Sequence, residues 1–490
     1  MLGYTLLFSP YVFALLTQEV ALLSYLIAWG GSFLILFLTW SGSVKPLPGG
    51  ESAFGQVMRP IVLTQLLFAF YNFLSSIFYV ADLYGFYYLA RLSTTPVVPG
   101  AMEAAALAQR YYVLAHAAVA TGMLVAMDYR RSGEWVVRPL DNPARAALML
   151  SAAALLIGAL GGDQNQILGR VEKIGLVASV LALALAIPTR RLGTLTLAFA
   201  LYVANMGSAF LSGWKEEVLV MVLLLAVFVY PYARRTVLVG APIVLVFLLA
   251  ILPTYANVFR DLNWEGNADA EEAAAVAVDE IRGGQADIAA TNWMFLTNRI
   301  SEIGLFVQYL YAFETAEEGG GSPFYGAEIL KQSGYSLIPR ALWSSKPITE
   351  NLVMERVYDS GVVSDNSNVS AKPQYVVDGY LSAGAWGVLI AGLVFGLIAS
   401  LASRACERWF GGYFWGTGLI YTAMFAVFWK GNTFEFFFNT VFYSFILLVP
   451  LFLIGRWAGL LIHRDELEAL EAAQAEEPEV SSRGLWPAYQ

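Results

Sequence analysis

Charge is scarce in this chain: Asp, Glu, Lys and Arg make up 14% of its 490 residues, against 58% hydrophobic residues. No soluble core of this size can bury that much apolar surface, so the composition excludes a water-soluble globular protein. Cysteine is nearly absent. Cys406 stands alone, which excludes an intramolecular disulfide and a thiolate metal cluster. His116 and His463 are the only histidines, so a multi-histidine site is excluded too, and no metal or cofactor is expected. The first apolar stretch lacks a basic leader and a small-residue cleavage site, and no cleavable signal peptide is expected. The net charge of −9 gathers in an insert around 265–280 and a tail over 465–479. It indicates no particular charged partner, and nucleic acid is not expected as one.

What the chain does have is apolar runs of the length that crosses a hydrocarbon core, about 17 to 25 residues. Candidates are 3–17, 20–40, 57–80, 107–127, 144–161, 171–187, 192–211, 216–231, 236–252, 376–400, 413–430 and 436–460. That is twelve, or eleven if the short first run, with Pro10, does not cross. The fold class is therefore an all-α polytopic membrane protein with one long, partly helical loop. It divides into an N-terminal bundle over 1–252, a loop over 253–375, C-terminal spans over 376–460 and an acidic tail over 461–490.

Lys and Arg accumulate on the cytoplasmic side of short connections. Arg130, Arg131 and Arg138 lie in one connection, Arg190 and Arg191 in another, Arg234 and Arg235 in a third, Arg404 and Arg408 in a fourth, with Arg456 and Arg464 after the last span. If the spans alternate, all five fall on one side. The long loop then lies outside, with the turns that carry Lys215, Glu216 and Glu217 and Lys430 to Glu435.

The outer residues carry most of the unusual polar chemistry. Ionisable groups at the mouth of a bundle need water, a partner or a ligand. Within the loop, 269–280 is Ala- and Glu-rich, a solvated helix or flexible arm. The stretch 287–313 has the pattern of an amphipathic helix, with Arg299 and Glu302 sharing its polar face. Beyond Gly319 to Gly321 comes Leu337-Ile338-Pro339-Arg340-Ala341-Leu342-Trp343, then Lys346-Pro347. Two cations and an aromatic between prolines suit a phosphorylated sugar, and they equally suit a loop anchored at the membrane interface.

That proline-flanked arginine segment, the arginine-bearing helix before it, and a span entered through Asp378-Gly379-Tyr380 with Gly384 and Gly387 resemble the bacterial O-antigen or oligosaccharide-repeat-unit polymerases of the Wzy type. The resemblance is sharp over about 299–395. It implies a C-type glycosyltransferase-like bundle in the bacterial inner membrane with its long loop periplasmic. It also implies transfer of a growing glycan from undecaprenyl diphosphate onto a carrier-linked repeat unit, with a flippase and a chain-length regulator as partners beside the lipid bilayer. The family's important outer-loop arginines fall on Arg340 and, less directly, Arg299.

Such a reaction needs stabilisation of charge developing on a diphosphate more than a general acid. Arg340 suits that role, because guanidinium offers phosphate a planar, permanently charged fork. Lys346, Lys215 and Lys430 are further substrate-binding candidates, and Trp343 offers a face for a sugar. A base for the acceptor hydroxyl would be a carboxylate: Glu216, Glu302, Asp378 or Glu435, each of which has a salt-bridge reading as well. His116 lies deep in a span, where a histidine is either a functional group or one satisfied by a neighbouring helix; with nothing acidic or basic near it in sequence, the second reading is preferred. The alternatives to a polymerase are a secondary transporter and a non-catalytic scaffold of an envelope polysaccharide assembly.

Overall fold

Inside a bilayer the backbone has no water to bond, so a spanning segment closes its own hydrogen bonds as a helix. The computed structural model describes residues 2–50, 53–85, 99–129, 133–138, 142–161, 166–189, 191–211, 215–263, 268–283, 287–318, 325–340, 342–359, 362 and 372–476. These residues are mostly helical. Among them, seven helices are long and apolar enough to cross a membrane: Ala21–Trp40, Pro60–Leu83, Arg170–Thr189, Leu192–Leu211, Arg234–Asn263, Tyr375–Trp409 and Phe434–Trp457. Pro143–Ile157 and Glu217–Val229 are shorter apolar helices. Large apolar side chains such as Phe37, Leu192, Val246 and Trp457 point outward, where lipid would meet them. The described residues are those of an all-α membrane protein, apart from one small ribbon among them.

The centre of the bundle is Ala101–Ala126 packed against Tyr375–Trp409. Its first helix is rich in alanine, and its partner brings Gly392 and Gly396 to the contact. A Cβ on Gly396 would stand 2.0 Å from Val119 O, and one on Gly122 would stand 2.3 Å from Leu393 O. Small residues four apart on both helices let the backbones touch, which maximises dispersion contact where lipid supplies no hydrophobic drive. Ala101–Ala126 is not among the seven, since Gln109, Arg110 and His116 dilute its hydropathy. All three are buried against other helices.

Several expected spans take a different form. Residues 3–17 form two short helices, Leu2–Leu7 and Ser9–Leu16, neither long enough alone to cross about 30 Å. They run antiparallel beside Ala21–Trp40: Ser24 Oγ donates to Ala14 O at 2.7 Å, and Gly3 abuts Val44. The expected span 413–430 is not one helix. It consists of a π-helical stretch Tyr413–Tyr421, one turn Thr422–Met424 and Val427–Lys430. Gly411 and Gly412 turn the chain there with positive φ, and Gly416 lies so close to Cys406 O that a Cβ would meet it at 2.3 Å. The helix Arg234–Asn263 passes through Pro253, so the boundary expected at 252 falls inside a helix.

The insert is largely helical. Asp269 and Asp287 cap Ala270–Gly283 and Ile288–Phe295, accepting from Glu272 N at 2.8 Å and Ala290 N at 3.0 Å. The amphipathic helix expected over 287–313 is interrupted by extended Ser301, and Ile303–Glu318 follows. Gly326–Leu337 and Thr349–Asp359 are its further helices among the described residues.

Basic connections meet at one end. Arg404 Nη1 donates to Ala126 O at 2.9 Å, Lys45 Nζ to Leu124 O at 2.6 Å and Arg464 Nε to Gly133 O at 3.1 Å. Trp135–Val137 pairs antiparallel with Leu461–His463, a ribbon that an all-helical reading did not foresee. Arg464–Glu476 is helical. Arg130, Arg131 and Arg190 lie outside the described residues.

Candidate functional site

At the other end of Tyr375–Trp409, one guanidinium ties four helices together. Arg356, from Thr349–Asp359, donates through Nη1 to Glu435 Oε1 at 2.8 Å and to Gln332 Oε1 at 2.6 Å. Its Nη2 reaches Asp378 Oδ1 at 3.3 Å. Asp378 stands in the first turn of Tyr375–Trp409, Glu435 in the first turn of Phe434–Trp457, and Gln332 in Gly326–Leu337. Asp378 and Glu435 are fully buried and Arg356 nearly so. Burial alone would lower the guanidinium's pKa, but Asp378 and then Glu435 raise it further, and Arg356 stays charged. Two carboxylates at helix N-termini are also in the favourable half of each helix dipole.

The candidate bases Asp378 and Glu435 are thus held by this clasp. The second oxygen of Asp378 accepts Phe434 N at 2.9 Å, which leaves neither oxygen unengaged. Arg356 itself was not singled out in the sequence, because nothing in the polar stretch around it distinguishes it from a solvated arginine. Its only available signal was position: a cation between Gln332 and the acidic entry at Asp378.

Lys346 is likewise committed. Its Nζ donates to Ser336 O at 3.1 Å and Ile338 O at 2.9 Å, the carbonyls left over at the end of Gly326–Leu337. Asn439 Nδ2 adds a bond to Ser336 O at 2.9 Å. Burial, and next the nearby Arg340, pull the Lys346 ammonium below its ordinary pKa. As expected for a proline-fixed loop, Leu342 N and Trp343 N both turn back to Pro339 O. Trp343 sets its ring edge to Tyr335 at 5.2 Å and donates Nε1 to Ser345 Oγ at 3.0 Å. Arg340 is exposed at the tip, with no hydrogen bond or ion pair among the described residues. Lys372, paired with Glu350 at 2.7 Å, closes the flank of the cluster.

The structure therefore brings Arg340, Trp343, Lys346, Asp378 and Glu435 to one end and separates them into a free tip and a locked base. Glu302 sits elsewhere, half-buried against the 60–83 segment: its N–H donates to Tyr71 O at 3.2 Å and its carbonyl accepts Tyr112 Oη at 3.0 Å. The side chains of Arg299, Lys215, Glu216 and Lys430 lie outside the described part. His116 is fully buried between Phe68 and Phe73, with Nε2 at 3.1 Å from Gln65 Oε1, the neighbouring-helix contact expected of it.

With both buried carboxylates engaged by Arg356 and the exposed Arg340 guanidinium on the Lys346 loop, the chemistry open at the loop tip is recognition of an anion. No curated protein and no solved structure matches the chain. A family model described as a domain of unknown function (DUF8712) matches residues 9–463, and the chain belongs to that family.

Proposed function

We propose that this protein polymerises undecaprenyl-diphosphate-linked oligosaccharide repeat units at the periplasmic face of the bacterial inner membrane, as a metal-independent glycosyltransferase. The observation that carries the reading is Arg340: an exposed guanidinium, without a partner among the described residues, on a loop whose base is fastened by Lys346 and Asn439. In this reading Arg340 meets the diphosphate of the donor and stabilises the charge that grows as the glycosyl bond breaks. A fork held by a rigid base reaches phosphate with little loss of side-chain freedom. Trp343 stacks on a sugar ring beside it. Asp378 and Glu435 hold the scaffold and Glu302 lies elsewhere, so of the four carboxylates the sequence offered, deprotonation of the acceptor hydroxyl falls to Glu216.

The test is polymer formation in vesicles supplied with carrier-linked repeat units, with the intact protein set against Arg340→Ala and Arg340→Lys. The reading expects a ladder that Ala abolishes and Lys partly restores. Absence of any ladder from the intact protein with substrate of its own organism favours a transporter or a scaffold. A ladder from the Ala variant removes Arg340 from the mechanism.

A further inference from the structure

Among the described residues the structure buries three arginines: Arg59, Arg110 and Arg356. Arg59 pairs with Glu407, and Arg356 with Asp378 and Glu435. Arg110 has no carboxylate among the described residues. Its one hydrogen bond there runs from Nη1 to Ser24 Oγ at 2.9 Å, and Ser24 Oγ in turn donates to Ala14 O. Ser24 thus fixes the guanidinium and leaves Nε and Nη2 unused. The phenols of Tyr11 and Tyr111 are close enough to act on its charge. Glu19 and Glu103, acids on the neighbouring turn and on the same helix, make no ion pair with it.

The position of Arg110 says what could meet that charge. Tyr111, the next residue, packs on Tyr380 at 4.9 Å, which places Arg110 towards the end of the bundle that carries Asp378. In front of it stand Ser9–Leu16 and the start of Ala21–Trp40, whose Val12, Phe13, Leu22, Leu23 and Leu26 are exposed. An apolar surface of that kind faces lipid, and a lone guanidinium behind it is costly unless an anion arrives from the same side. A water-soluble anion has no apolar part to lie on that surface. A lipid phosphate has both halves.

We propose that Arg110, held by Ser24, binds the phosphate of a membrane lipid whose hydrocarbon chain lies along the exposed face of the first helices. Guanidinium suits a phosphate through two parallel N–H donors, here Nε and Nη2. This inference does not rest on the polymerase reading, since the phosphate belongs either to bulk anionic phospholipid or to a polyprenyl carrier.

Native mass spectrometry of the full chain in detergent tests it, with phosphatidylglycerol, undecaprenyl phosphate or phosphatidylcholine added in separate arms. The wild type is expected to retain an anionic lipid that Arg110→Gln binds about tenfold more weakly or worse, with exposed Arg282→Gln behaving as wild type. Loss confined to phosphatidylglycerol identifies a bulk-phospholipid site, and loss confined to undecaprenyl phosphate identifies a carrier site. Either supports the proposal. Arg110→Lys, which keeps the charge and loses the fork, is expected to fall between. If Arg110→Gln does not fold, Arg110→Lys decides alone. Wild-type retention of every anionic lipid by each variant that folds overturns the site, whatever the polymer assay shows.

Discussion

The helix Tyr375–Trp409 ends in a buried carboxylate on both sides, and the two ends are built differently. At one, Glu407 accepts from Arg59 Nε at 3.2 Å and from Thr417 Oγ1 at 3.0 Å. Arg59 is shut between the rings of Tyr129 and Tyr413, 4.3 Å and 5.0 Å from their centroids. Around it, basic side chains cap carbonyls or meet Glu134, and the two-stranded ribbon staples the connections together. At the other end, Asp378 shares Arg356 with Glu435 and Gln332, yet exposed Arg340 stands on the loop that follows the helix of Gln332. The same device, a buried arginine on a carboxylate, builds the scaffold twice. A candidate site is therefore better sought in the charge that scaffold leaves over, Arg340 and Arg110, than in its most buried ions.

Breaking the clasp should have the largest effect on stability. Arg356→Ala strands two buried carboxylates and is expected to cost about 3–5 kcal/mol, read as a drop in thermal midpoint in detergent. A midpoint equal to wild type would sink the clasp. At the opposite end, a double-mutant cycle with Arg59→Met and Glu407→Gln should give a coupling of roughly 0.5–3 kcal/mol; additive single effects would mean the pair is not a unit. Gly396→Val, in the contact between the two central helices, should cost about 1–3 kcal/mol through overpacking, and wild-type stability there would argue against the close helix crossing.

Smaller effects sharpen the contrast between base and tip. Lys346→Met removes a cation from the C-terminus of Gly326–Leu337 and should cost about 1 kcal/mol. It should also weaken polymer formation by loosening the Arg340 loop, and an active, fully stable variant would show that the base needs no fastening. Arg340→Ala should change stability by less than about 0.5 kcal/mol while abolishing the polymer. A destabilised Arg340→Ala would return that residue to the scaffold.

Much of this was legible along the chain. The membrane class, the positions of most helices, the Asp269 and Asp287 helix starts and the proline-fixed turn at Pro339 all follow from local composition and local hydrogen bonding. The basic connections that meet at the ribbon end were also readable, as a bias in Lys and Arg. Three features were not. Residues 413–430 read as one apolar run, because hydropathy cannot tell a continuous helix from one bent by glycines against Cys406 and Glu407. Lys346 looked like a ligand-binding cation, because the carbonyls it caps belong to a helix end that only the fold brings near. Arg356 looked like a surface residue, because Asp378 lies 22 positions away and Glu435 lies 79.

By itself, the sequence determined that this protein lives in a bilayer as a bundle of helices with a long polar insert, since apolar length and backbone hydrogen bonding are local properties. Only the tertiary structure decided which charges are paired. Ion pairing depends on distances between residues far apart in the chain, and burial then turns each pairing, or its lack, into a large free energy.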